Sequence, residues 1–141
     1  MKREQVFIDT GAWIALLIAN DQYHDKAVDF YSNLSSAIRR TTSSHVVSET
    51  YTWLRYKAGY RYASRYLEVI SQSQLQSRLT ILYDNAEILE LADAILRDFP
   101  DQKLSYTDAI SMSMMRLENI RKVFGFDRHF YLMGFEMVPQ S

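Results

Sequence analysis

A chain of 141 residues, 48% hydrophobic with only two prolines and four glycines, is expected to be one helix-rich domain with a real core and not a disordered segment. The absence of cysteine excludes disulfides and thiolate metal sites and suits a reducing cytoplasm. A net charge of −1 gives no global electrostatic case for nucleic acid. The apolar stretch 11–19 is too short for a membrane span, which needs roughly 20 residues, so no membrane role is expected.

Taken in order, Val6-Phe7-Ile8 is a short apolar run that stops at Asp9, as buried strands of parallel sheets do. A short helix follows over 13–18. Asp21 is a suitable N-cap for a second helix over 24–38. Residues 39–43 form a second strand, and Ser44 caps a helix that runs to 57 or 58 and stops at Gly59. Another helix covers 60–73, with Tyr62, Tyr66, Val69 and Ile70 on its core side. A third strand spans 79–83, and Asp84 caps a long helix to 99, stopped by Pro100. Ser105 opens a helix to about 119, followed by a strand over 121–126, a short helix over 127–133 and an edge strand over 135–138. Strands separated by helices call for parallel pairing with right-handed crossovers. The expected fold is a three-layer α/β/α sandwich around a central, mainly parallel five-stranded sheet, as a single domain over 1–141.

Four acids stand at junctions or helix flanks in this scheme. Asp9 ends the first strand, where open α/β sheets place ligand sites, although Asp also caps helices well. Glu49 falls about 40° outside an apolar arc of Val46, Val47, Thr50, Tyr51, Trp53 and Leu54, on the rim of its helix. A solvated surface Glu is the competing reading. Asp108 follows Ser105 at capping-box spacing and opens a helix that is apolar over much of its circumference. Asp127 ends the run Val123-Phe124-Gly125-Phe126 as Asp9 ends Val6-Phe7-Ile8, and it too has a capping alternative. Glu87, Glu90 and Asp93 face away from the apolar arc of their helix and are set aside as solvated.

Carboxylates that converge without basic partners raise one another's pKa values, and a divalent cation relieves the repulsion. All-oxygen ligands favour Mg²⁺ or Mn²⁺ over zinc, and such ions in an acidic cleft suit phosphodiester chemistry. Rival classes fail on particular residues. A phosphatase of the haloacid-dehalogenase type needs a second Asp at position 11, which is Gly, and no Gly-rich phosphate loop is present.

The motifs VFIDTGAW, VVSETYTWL, LSYTDAISMSMM and VFGFDRHF, with Asp9, Glu49, Asp108 and Asp127, resemble the four acidic motifs of PIN domains, in order and over nearly the whole chain. The likeness extends to stand-alone VapC-type toxins. It implies a parallel five-stranded sheet and Mg²⁺- or Mn²⁺-dependent endoribonuclease activity on single-stranded RNA segments. It also implies products with 5′-phosphate and 3′-hydroxyl ends. Asp9, Glu49 and Asp108 match the family's core metal ligands and Asp127 its fourth acid. Thr10 and Thr107 match hydroxyl residues beside the first and third acids. His129 is expected to be structural or to stand behind the ligands. In similar toxins an antitoxin protein inserts basic side chains into the cleft, so an antitoxin partner and a homodimer are expected. Arg55, Lys57, Arg61 and Arg65 are candidate contacts for RNA phosphate or for a partner chain, with a merely solvated basic face as the competing reading. The alternatives to a toxin are an RNA-processing nuclease without an antitoxin and a non-catalytic binding module.

Overall fold

The computed structural model describes residues 3–140. Five strands, β1 (Gln5–Ile8), β2 (Arg39–Ser43), β3 (Thr80–Leu82), β4 (Lys122–Phe124) and β5 (Glu136–Val138), form one sheet in the order β3-β2-β1-β4-β5. All four pairings are parallel, with Phe7 opposite both Thr41 and Val123. Seven helices connect them among the described residues: α1 (Thr10–Leu17), α2 (His24–Asn33), α3 (Ser44–Lys57), α4 (Tyr60–Leu75), α5 (Ala86–Asp98), α6 (Tyr106–Leu117) and α7 (Arg128–Leu132). This is the expected α/β sandwich. No helix among the described residues is long and apolar enough to cross a membrane.

The centre of the sheet is apolar because it is covered on both faces. Val6, Phe7 and Ile8 of β1 and Val123 and Phe124 of β4 are buried, as is every residue of α6 from Ala109 to Met115. Burying each large side chain of this set contributes about 1.5–3 kcal/mol. Helix α6 is therefore an internal element. Packing it against the sheet fixes its N-terminus, and Asp108 with it.

Several boundaries differ from the sequence reading, each for a local reason. Helix α1 begins at Thr10, not at 13, because the extended Asp9 backbone (φ −89, ψ 167) already offers its carbonyl to the amides of Ala12 and Trp13. Helix α2 stops at Asn33, five residues early. The carbonyls of Leu34, Ser35, Ser36, Ala37 and Ile38 instead accept from the guanidiniums of Arg3 and Arg40. Asp21 does not cap α2; its carboxylate accepts from the Tyr23 amide at 2.8 Å, and Tyr23 holds the cap position. The caps of α3 and α5 are Ser43 and Asn85, one residue from the expected Ser44 and Asp84. Tyr62, expected in the core, is half exposed, while Tyr66 is fully buried.

Candidate active site

The strand order turns on β1: the chain proceeds outward to β2 and β3 on one side, then to β4 and β5 on the other. Open α/β sheets bind ligands at such a switch point, in the crevice beyond the carboxyl ends of the strands. Asp9 is the first residue past β1. Its amide donates to the Phe124 carbonyl at 2.9 Å, which extends the β1–β4 pairing by one step and fixes the Asp9 backbone. The Thr42 hydroxyl holds the preceding carbonyl, that of Ile8, at 2.8 Å. The Asp9 residue is only 5% exposed, and its side chain makes no capping bond to α1. On the other side Gly125 lets the chain approach closely: a Cβ there would stand 3.1 Å from the Asp9 Cβ.

Asp108 does cap its helix. The Ser105 Oγ accepts from the Asp108 amide and Asp108 Oδ2 accepts from the Ser105 amide, both at 3.0 Å. Asp127 caps α7 through the His129 amide, also at 3.0 Å. Capping and a site role are compatible for both, because each carboxylate has a second oxygen. Glu49 lies on α3 beside the buried row of Val46, Thr50 and Leu54, with the Thr107 hydroxyl against its carboxylate.

Asp9, Glu49 and Asp108 are each raised, and neighbouring carboxylates contribute in every case. Burial is the main reason Asp9 is pushed up from 3.8 to about 7, and the charges of Asp108, Asp127 and Glu49 add to it against the favourable Thr10 amide. Glu49 is raised by its partial burial and by Asp108 and Asp127, with the Thr107 hydroxyl opposing. Asp108 is raised by burial and by Asp127, while the Ser105 amide, the Ser105 hydroxyl and His129 oppose. Among the described residues none of the four forms an ion pair with Lys or Arg.

The arrangement fits a hard divalent cation. Asp108, Asp127 and His129 each present a ligand atom within 4.8 Å of the others. Two further polar atoms lack a partner. The Thr10 hydroxyl oxygen is buried without a hydrogen bond, and His129 Nδ1 stands 2.8 Å from Asp127 Oδ1 but out of line for one. Carboxylate oxygens suit Mg²⁺ and Mn²⁺, and an imidazole nitrogen nearby is tolerated better by Mn²⁺. His129 thus stands with the acids. Its signal in the sequence was its place two residues after Asp127, on the same helical cap.

The other sequence candidates lie elsewhere. Arg55, Lys57, Arg61 and Arg65 are exposed on α3 and α4, with Arg55 over the Tyr60 ring at 5.8 Å and Arg65 paired to Glu68 at 3.5 Å. Residues 55 and 57 are 6 to 8 positions beyond Glu49, or roughly 9–12 Å along the helix. Glu87, Glu90 and Asp93 are exposed on α5. A cavity of about 1040 Å³ lined by Arg3, Arg39, Arg40 and Arg78 opens at the opposite, amino-terminal edge of the sheet, remote from the acids.

The PIN domain profile matches residues 6–136. The chain is 29% identical over 136 residues to the 23S rRNA-specific endonuclease VapC20 of Mycobacterium tuberculosis, covering 96% of this chain and 99% of that protein. The crystal structure of VapC20, described as a sarcin–ricin loop cleaving toxin, superposes with a TM-score of 0.83 over 92% of this chain and 95% of that one. VapBC2 of Rickettsia felis bound to a promoter DNA fragment (TM-score 0.71, 13% identity, 94% and 96% covered) shares the fold. So does VapBC-1 of nontypeable Haemophilus influenzae (0.66, 14%, 94% and 96%).

Proposed function

The chain belongs to the PIN domain family, and from that membership we propose that it is a Mg²⁺- or Mn²⁺-dependent endoribonuclease, the toxin of a toxin–antitoxin pair. The observation that carries this reading is the approach of Asp9, Glu49, Asp108 and Asp127 to one another at the switch point, with no Lys or Arg paired to any of them among the described residues. A binding module for RNA has no use for a buried carboxylate that must be forced to ionise. A metal site does.

In this reading Asp9, Glu49, Asp108 and Asp127 hold the cation, with His129 beside them. A divalent ion supplies positive charge to the scissile phosphate and makes a nearby water a better nucleophile at neutral pH. The protein's own residues do the rest. The rigid β1–β4 end and Gly125 fix Asp9. The capping box fixes Asp108. The Thr107 hydroxyl stands against the Glu49 carboxylate and opposes the rise in its pKa. Thr10 offers its unpartnered hydroxyl at the base of the site.

The substrate is an exposed RNA loop, and the rRNA specificity named for VapC20 makes ribosomal RNA the first to try. An antitoxin would neutralise the acidic cleft of Asp9, Glu49 and Asp108 with basic side chains. The catalytic unit is the single domain 1–141, working as a homodimer in the cytoplasm. The test is cleavage of total ribosomal RNA with Mg²⁺ or Mn²⁺, with EDTA, and with Asp9→Asn. Metal-dependent cuts leaving 5′-phosphate and 3′-hydroxyl ends support the proposal. Cuts that survive EDTA and leave 2′,3′-cyclic phosphates refute it.

A further inference from the structure

Beside the acid cluster stands a pair that the metal reading does not use. His45 Nε2 and Asp84 Oδ2 are 2.5 Å apart, bridging residues 39 positions distant in the chain. The sheet explains the meeting. Ser43 and Leu82 are register partners at the ends of β2 and β3, and His45 and Asp84 each lie two residues further on. The pair therefore sits on the same carboxyl edge as Asp9. His45 is also one helical turn before Glu49 on α3, and side chains four apart lie on one face at about 6 Å. Since Glu49 feels Asp108 and Asp127, that face fronts the cleft.

We propose that His45 accepts a hydrogen bond from a ribose 2′-hydroxyl next to the scissile phosphate, and that Asp84 is its positioning residue. The proposal rests on the ribonuclease reading above. A carboxylate only accepts, so the ring nitrogen facing Asp84 carries the proton. With Nε2–H turned to Asp84, Nδ1 is the ring nitrogen left to accept, and it takes no hydrogen bond among the described residues. Most of what RNA shows a protein near its backbone is acceptor: phosphate oxygens and sugar oxygens. The 2′-hydroxyl is the donor, and it is the group that separates RNA from DNA. With DNA the 2′-hydroxyl is missing and this contact is lost, so RNA is favoured by the worth of that one hydrogen bond. His45 is one-third exposed, open enough to be reached.

The experiment walks single 2′-deoxy substitutions along a cleaved RNA oligonucleotide and measures single-turnover cleavage at pH 8 with saturating Mn²⁺. Wild type, His45→Ala, His45→Gln and Asp84→Asn are compared, with melting temperatures alongside. The wild type should lose about tenfold at one position flanking the cut, the worth of one hydrogen bond. His45→Ala should be slower on all-RNA and lose nothing further at that position. His45→Gln, whose amide oxygen can accept, should keep part of the discrimination. Asp84→Asn should weaken it, because an amide NH₂ can reverse the ring tautomer. The same 2′-deoxy penalty in His45→Ala as in wild type overturns the proposal and makes the pair a clamp between β2 and β3. Absence of any metal-dependent wild-type cleavage overturns the ribonuclease reading and this proposal together.

Discussion

Replacing Asp9 by Asn should stabilise the metal-free protein at neutral and alkaline pH and abolish its chemistry. The folded-state pKa of about 7 lies above the ordinary 3.8, chiefly through burial and then through the charge of Asp108. The native state therefore holds a proton that the unfolded chain has released, and stability falls as pH rises through 3.8 to 7. Below that window both states are protonated and the penalty is absent; above it the penalty is complete. A separation of roughly three pH units corresponds to a penalty on the order of 4 kcal/mol. At about 2–4 °C per kcal/mol for a chain of this size, Asp9→Asn should melt around 10 °C higher than wild type at pH 8 in EDTA. At pH 4 the two should nearly coincide.

Divalent metal should close most of this gap. A cation binding only the folded wild type stabilises it by about 2.7 kcal/mol at a hundredfold excess over Kd. Because the ion must displace the Asp9 proton, Mn²⁺ affinity should weaken about tenfold per pH unit below 7. Melting curves with EDTA or Mn²⁺ from pH 4 to 9 read all of this. An Asp9→Asn variant less stable than wild type at pH 8 in EDTA would mean that the carboxylate is a paired structural group, and the reasoning would fail.

Other outcomes follow from single contacts. Gly125→Ala brings a methyl to 3.1 Å from the Asp9 Cβ, so it should cost about 1–3 kcal/mol and lower Mn²⁺ affinity measured by calorimetric titration. Ser105→Ala removes one half of the capping box and should cost about 1 kcal/mol in urea unfolding, with Asp108 less well held. Arg61→Ala with Arg65→Ala should leave cleavage of a saturating substrate unchanged. If that exposed face touches RNA, the variant should also flatten the salt dependence of binding by roughly 1.4 in log–log slope, for two single-strand phosphates. The double change Asp9→Asn, Asp108→Asn should remove saturable Mn²⁺ binding, measured by calorimetry.

The fold was legible because its elements are local. Val6-Phe7-Ile8 and Val123-Phe124 read as buried strands from composition alone, and the alternation of strands with helices set the parallel sheet. The acids were legible where an apolar run breaks at a charge, as at Asp9 and Asp127, or where capping spacing marks a helix start, as at Asp108. What periodicity could not supply were bonds between distant positions. Arg3 and Arg40 shorten α2 by holding the carbonyls after it, and Arg3 does so across more than 30 residues. The His45–Asp84 pair depends on the β2–β3 register, and with it goes the cap assignment at Asp84. Trp53, counted in the apolar arc of α3, is more than one-third exposed because α3 buries only the narrow row through Val46, Thr50 and Leu54.

Asp9 is the point where local rules and the whole fold disagree. A carboxylate at a helix start should turn to the free amides of the first turn, which would lower its pKa and stabilise α1. Here the side chain makes no capping bond to α1, keeps only the favourable Thr10 amide, and is buried among other acids. Nothing local compels this. The β1–β4 hydrogen bond, Gly125 and the Thr42 hydroxyl hold the backbone so that the carboxylate faces the crevice. Conflicts of this kind concentrate at functional sites, where a ligand supplies what the apo protein lacks. The stored penalty is the complement of the binding energy a cation would recover, since the same charge that destabilises the empty cleft attracts the ion. A purely structural acid at this position would have been replaced by Asn or Ser at no cost to α1, and the cleft would lose nothing but its repulsion.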